Sequence, residues 1–187
     1  MVEAGTRRRG DTRERIQSVA LARFTSNGYD QTSLREIAED LGVTKAALYY
    51  HFKSKEEIID SLLRRVSADV DALVTWMLDG PSTRERRLEM IERLGEITRG
   101  AGGGVMQCVQ QNEVALHNLP ATTELVHDIK QRLWSAALPD SASVEHKLRM
   151  RMAVMAVLIS NKPGSDLGGT PDERSAAAQR IAADLIP

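Results

Sequence analysis

Residues 33–57 read SLREIAEDLGVTKAALYYHFKSKEE, and the punctuation of this stretch decides the fold. Ser33 followed by Glu36 has capping-box spacing, in which each side chain satisfies the other residue's free backbone amide at a helix start. Leu34, Ile37, Ala38 and Leu41 then form an apolar stripe at helical spacing. Gly42 ends that helix early, supplying a backbone conformation that most residues avoid. Thr44 stands where a cap is needed for a helix over 45–51, and Ser54 with Glu57 opens another. Leu48 and Phe52 lie one turn apart and point inward together. That leaves Thr44, Lys45, Tyr49 and, towards the edge, Tyr50 and His51 facing out.

Working outward, Asp11 and Glu14 mark a helix start. Ile16, Val19, Ala20 and Phe24 follow at helical spacing, and Asn27-Gly28 stops the helix. Residues 1–10, with Arg7, Arg8 and Arg9, read as a disordered basic arm. Downstream of Ser54, apolar positions from Ile58 to Met77 keep helical periodicity until Asp79-Gly80-Pro81 breaks it. Further helices are expected from Ser82 to about 98, over about 105–118, about 122–137 and 143–160. The glycine-rich stretch 100–104 is expected to interrupt and 161–169 to form a loop. Thr170-Pro171-Asp172-Glu173 combines a cap, a first-turn proline and a capping-box glutamate, launching a last helix to about 185. No β-alternation competes. The reading is all-α with nine helices: a three-helix domain over 11–53, then a six-helix bundle over 54–187.

Composition agrees. Of 187 residues, 42% are hydrophobic, 27% charged and only 4% aromatic, which suits a soluble helical protein able to bury a core. The single cysteine, Cys108, excludes an internal disulfide framework and fits a reducing interior. No apolar run approaches the roughly 20 residues that span a bilayer, and the charged N-terminus lacks the apolar segment of a signal peptide. A cytoplasmic location is expected. The net charge of −1 is uneven, with residues 1–55 at +3 and the remainder at −4. A basic front is what a segment meeting a polyanion needs, although ordinary surface drift gives the same difference.

Helix, tight turn and helix over Ser33–Phe52 is the helix-turn-helix layout, whose second helix enters a DNA major groove. The run TSLREIAEDLGVTKAALYYHFKSKEEII, with the upstream ALARFTSNGYDQTSLREIA, resembles the signature of the TetR family of bacterial transcriptional regulators over about residues 11–60. The resemblance implies a double-stranded DNA operator as partner. It implies that Lys45 and Ala46 address base edges, beside the cap Thr44, and that Tyr49, Tyr50 and His51 grip phosphates and sugars. Lys55 matches a phosphate-contacting position, and Thr32, Ser33 and Arg35 lie where the preceding helix meets the DNA backbone. Tyrosyl hydroxyls and lysines suit phosphate, and Lys45 can donate to guanine. Tyr50 packing on the first helix, and His51 acting as a neutral cap, stand as alternatives. The Arg7–Arg9 arm is either a minor-groove reader or a solubilising tail.

For the remaining two thirds, the resemblance implies an effector-binding and dimerisation domain. Candidate pocket residues are Trp76, Met90, Met106, Gln107, Gln110, His117, Trp134 and Met155, each with plain packing or exposure as the alternative. The helix carrying MAVMAVLI (152–159) is apolar on all sides and should be covered on both faces. With the alanine-rich last helix it supplies the expected homodimer contacts: Val154, Leu158, Ala178, Ile181, Ala182 and Leu185. The implied function is a regulator, usually a repressor, released by a small-molecule effector. A constitutive DNA binder and a protein-interaction module are the other two readings. No catalytic constellation appears, since Cys108 and His117 lack a third partner. The glycines at 100–104 lack phosphate-loop spacing, and His117, His127, His146 and Cys108 lack metal-ligand spacing. No cofactor is expected.

Overall fold

A computed structural model describes residues 3–139, 141–160 and 166–186, with only the backbone of 3–10 and 101. Among these residues the chain forms ten helices and no strand. They are α1 (Glu3–Ser26), α2 (Leu34–Leu41), α3 (Lys45–His51), α4 (Lys55–Leu78), α5 (Arg84–Arg99), α6 (Ala101–Gln111), α7 (Glu113–His117), α8 (Pro120–Ala137), α9 (Val144–Ser160) and α10 (Pro171–Leu185). Two compact units result: Met1–Arg64 with Gln107–Leu125, and Arg65–Met106 with Val126–Pro187. They cut the chain differently from the linear division at residue 54, because segments distant in sequence complete each core.

The first unit buries Ile16, Ala20 and Phe24 of α1, Ile37 of α2, Leu48 of α3, Phe52, and Ile58, Ile59 and Leu63 of α4. Each fully buried Phe, Ile or Leu side chain contributes roughly 1.5–3 kcal/mol. Arg23 ties α1 to α2 through a fork onto Asp40, whose second bond is 2.7 Å, and stands 3.4 Å from Glu36. Gln17 of α1 donates to the Ser61 hydroxyl of α4 at 2.8 Å. Helix α1 starts at Glu3, so the stretch expected to be a disordered arm is helical from residue 3. No proline interrupts it, and Glu, Ala and the three Arg favour helix enough to carry the established α1 past Gly5 and Gly10. The side chains of Arg7–Arg9, and any role for them, lie outside the described residues.

In the second unit α9 packs against both α5 and α10. Thr170 and Glu173 form the expected capping box on α10, at 3.2 and 2.7 Å. Arg174 donates to the carbonyls of Ser160, at 3.2 Å, and Gly169, at 2.7 Å, holding the end of α9 to the start of α10. Arg84 and Arg99 of α5 reach Ala183 and Ser175 of α10.

Two boundaries differ from expectation. The glycine-rich stretch does not interrupt beyond Gly100, because α6 begins at Ala101. A side chain at Gly103 would collide with the Thr98 carbonyl, so glycine there permits α6 to fold tightly over the last turn of α5. The segment expected as one helix over 105–118 divides at Asn112 into α6 and α7, which raises the count to ten.

Candidate nucleic-acid interface

The helix-turn-helix is built by the caps that its sequence announces. The Ser33 hydroxyl accepts from the Glu36 amide at 3.2 Å, and the Ser33 amide donates to the Glu36 carboxylate at 2.8 Å. The Ser33 hydroxyl also donates to that carboxylate, at 2.7 Å, and with the Ser33 amide and Arg23 nearby it holds the Glu36 carboxyl below its ordinary value. Gly42 takes a left-handed conformation (φ 66°) and its amide closes α2 onto Ala38 and Glu39. Thr44 then accepts from the Ala47 amide at 3.2 Å, starting α3.

On α3 one face is fixed and the other is open. Leu48 and Phe52 have no exposed surface. The Arg13 guanidinium covers the Phe52 ring at 4.1 Å and donates to the His51 carbonyl at 3.0 Å, pinning the helix end to α1. Thr44, Lys45 and Ala46 are exposed, Tyr49 and His51 half-buried, and Tyr50 is 60% exposed. The Lys45 ammonium lies 5.4 Å from the Tyr49 ring centre, and Tyr50 meets His51 edge to face at 5.3 Å. Lys53 donates to the Tyr49 carbonyl at 2.6 Å. Lysine and phenol groups thus share one outward surface, the chemistry that phosphate and base edges require.

Not every expected contact belongs to that surface. Thr32 is only 2% exposed and donates its hydroxyl to the Gly28 carbonyl at 2.8 Å; it holds the α1–α2 turn rather than facing outward. Lys55 donates to the Tyr29 carbonyl at 2.7 Å. Arg35 is exposed and paired with Glu39 at 2.7 Å. Sequence reading missed Arg13, although it continues the buried stripe of Ile16, Ala20 and Phe24 at helical spacing. It also missed Asn112, for which no local pattern gives a signal.

The pocket and dimer candidates scatter. Met90 is fully buried and Met155 is 43% exposed, while Gln110 and His117 are exposed and Met106 and Gln107 half-buried. Trp76 is flanked by Arg86 at 4.4 Å and Arg93 at 4.0 Å. Trp134 lines a small cleft of about 190 Å³ with Lys147, Met150 and Arg151. Val154, Ala178 and Ala182, expected on the outside, are buried at 0–4% exposure, because α9 and α10 turn those residues inward. Leu158 and Leu185 are half-buried. The outward face carries Leu148, Met152, Met155 and Ile159 on α9, with Ile181 on α10. Among the described residues no group of three His, Cys, Asp or Glu is disposed to hold a metal, and no helix is long and apolar enough to cross a membrane.

A short helix with a buried inner face and a Lys–Tyr outer face, set on a capped turn, defines a helix-turn-helix DNA-binding regulator. Residues 16–62 match the sequence profile of bacterial regulatory proteins of the tetR family. The solved structures that this chain resembles are transcriptional regulators. The nucleoid occlusion factors SlmA of Salmonella paratyphi B and Salmonella newport are 32% identical over 91 residues, 49% of this chain and 46% of theirs. The chain thus spans about half the length of these curated relatives. The fold resembles the ketosteroid transcriptional regulator KstR2 of Mycobacterium tuberculosis, with TM-score 0.71, 23% identity and coverage of 95% of this chain and 92% of that one. It also resembles AmtR of Mycobacterium smegmatis, with TM-score 0.62, 25% identity and coverage of 91% and 86%.

Proposed function

We propose that this regulator is a homodimeric repressor, with residues 11–53 as its DNA-binding part and 54–187 as its effector-binding and dimerising part, acting in the cytoplasm. The observation that carries the dimer is the exposed apolar stripe Leu148, Met152, Met155 and Ile159, joined by Ile181, each 43–58% exposed. Such a contiguous patch marks an interaction surface, and a second copy presents the same stripe, so the contact is self-complementary. Two recognition helices then face half-sites about one helical turn apart on a near-palindromic operator. Lys45 reads bases, and Tyr49 and Tyr50 contact phosphates.

Release by a small molecule is the second half of the proposal. An open, mainly apolar groove of about 530 Å³, lined by Ala156, Leu167, Arg174 and Ala177, borders the stripe and shares Ile159 and Ile181 with it; it has the size of a ligand site, and a ligand there would touch the same residues as the second copy. A ligand acts only through different affinity for the operator-competent and released arrangements. The dispersal of the pocket residues read from sequence supports the second reading, a constitutive DNA binder.

The test is Met152→Glu in the full chain, followed by light scattering and binding to operators selected from random duplex DNA. A monomer that no longer retards a two-half-site duplex supports the proposal; an unchanged dimer refutes the stripe as the interface. A thermal-shift screen with hydrophobic metabolites tests the effector, and silence across the screen favours the constitutive reading.

A further inference from the structure

Asn112 stands at the break between α6 and α7, where an asparagine ordinarily caps the helix it precedes. Its side chain makes no such bond. Instead the amide group donates to the Phe24 carbonyl at 3.0 Å and the Cys108 carbonyl at 2.9 Å, and the amide oxygen accepts from the Tyr29 backbone N–H at 2.6 Å. Both sides of the amide are therefore engaged. The residue is 8% exposed, a depth at which polar groups carry a large penalty unless paired.

The partners are the two ends of one turn. Phe24 lies in the last turn of α1, where carbonyls lack an intrahelical donor, and Tyr29 follows Gly28, whose φ is 92°. From Tyr29 the chain runs directly into order. The Thr32 amide donates to the Tyr29 carbonyl at 3.3 Å, and Ser33 caps α2. A residue 83 positions away from Tyr29 thus fixes the turn that sets where the helix-turn-helix begins.

We propose that Asn112 is a positioning residue for DNA binding: it locks the α1–α2 turn, so the pose of the helix-turn-helix depends on the break between α6 and α7. The proposal rests on Ser33–Phe52 being the DNA-binding element. Any change at that break is then read out at Tyr29 before it reaches α3. Asn112 touches no DNA itself, so its loss weakens binding without removing a phosphate contact.

The experiment uses the full chain with Asn112→Leu and Asn112→Asp, the latter keeping the acceptor for Tyr29 and losing both donations. Duplex DNA selected by the wild type is titrated, the active fraction is counted from the stoichiometric endpoint, and amide exchange is followed over 27–33. For the active fraction, affinity is expected to fall about tenfold, the size that a lost buried hydrogen bond supplies. Exchange over 27–33 should quicken, while the slope of log affinity against log salt stays as in the wild type. Unchanged affinity in the active fraction, with only that fraction reduced, overturns the proposal, as does unchanged exchange at Tyr29 in Asn112→Leu, which removes the acceptor that the Tyr29 amide uses. Tyr49→Phe is the control for the underlying reading. If it binds like the wild type, the helix-turn-helix assignment fails, whatever Asn112 does.

Discussion

Lys55 donates to the Tyr29 carbonyl at 2.7 Å while its ammonium lies 4.5 Å from the centre of the same residue's ring. Tyr29 is thus held from both sides of its backbone, by Lys55 at the carbonyl and Asn112 at the amide. Family resemblance makes Lys55 a phosphate contact, but these bonds direct its ammonium to the turn.

The two roles separate by salt dependence. A phosphate contact contributes close to one unit to the slope of log affinity against log salt, whereas an internal bond contributes none. Lys55→Met is expected to lower thermal stability by about 1 kcal/mol, the net worth of one hydrogen bond, and to leave the salt slope unchanged. A slope reduced by about one unit returns Lys55 to the phosphate-contact set.

Lys45 and Tyr49 share one exposed surface, yet their variants should differ in kind. Tyr49→Phe removes a hydroxyl suited to phosphate and should weaken binding to every sequence by roughly 0.5–1.5 kcal/mol. Lys45→Ala should relax preference at one base position, costing about 1–3 kcal/mol against the preferred base. Sequence selection with both variants checks this. An unaltered sequence logo for Lys45→Ala removes it from the base-reading role.

How much of this was legible in the sequence depended on how local each determinant was. Ser33, Gly42, Thr44 and Thr170 act within one helical turn, so their caps and the helices they bound can be read directly. The inward roles of Leu48 and Phe52 follow from spacing alone. Asn112 pairs with Phe24 and Tyr29 across 83 or more residues, and nothing in the sequence links them. Gly102 and Gly103 read as a break because isolated glycine disfavours helix; only the close approach to Ile97 and Thr98 makes them a helical necessity. On α9, MAVMAVLI offers no periodic cue to which face is inward. Sequence alone therefore puts Val154 outside and Met155 in the pocket, whereas the packing of α9 against α5 and α10 leaves Val154 buried and Met155 exposed.

Glu36 links stability to acid pH. Hydrogen bonds from the Ser33 hydroxyl and amide, with Arg23 nearby, hold its carboxyl below the ordinary value of 4.5. A carboxylate whose folded pKa lies below its unfolded one adds stability above the unfolded value, and the contribution is lost as pH falls through the folded value. Denaturant midpoints of the wild type should therefore decline as pH drops below 4.5. Glu36→Gln should start lower at neutral pH and decline less steeply over the same range. Parallel curves for the two proteins would remove Glu36 from the acid transition.

Cys108 gives the corresponding test at alkaline pH. It is fully buried, and burial pushes its thiol from 9.0 up to about 11, against hydrogen bonds from Thr25 and Asn112. A buried neutral thiol of this kind is a poor nucleophile, because the thiolate is the reacting form. The exposed His117 offers no activating contact. A disulfide exchange reagent at pH 8 should therefore label the native protein slowly and the guanidinium-unfolded protein at once. The linkage has a definite sign. The folded pKa exceeds the unfolded one, so this contribution to stability is complete below pH 9 and is lost as pH rises towards 11. Cys108→Ala should lack that alkaline decline. Rapid labelling of the folded protein at pH 8, matching the unfolded rate, would show the thiol to be accessible and ionised, and would reopen a chemical role for Cys108.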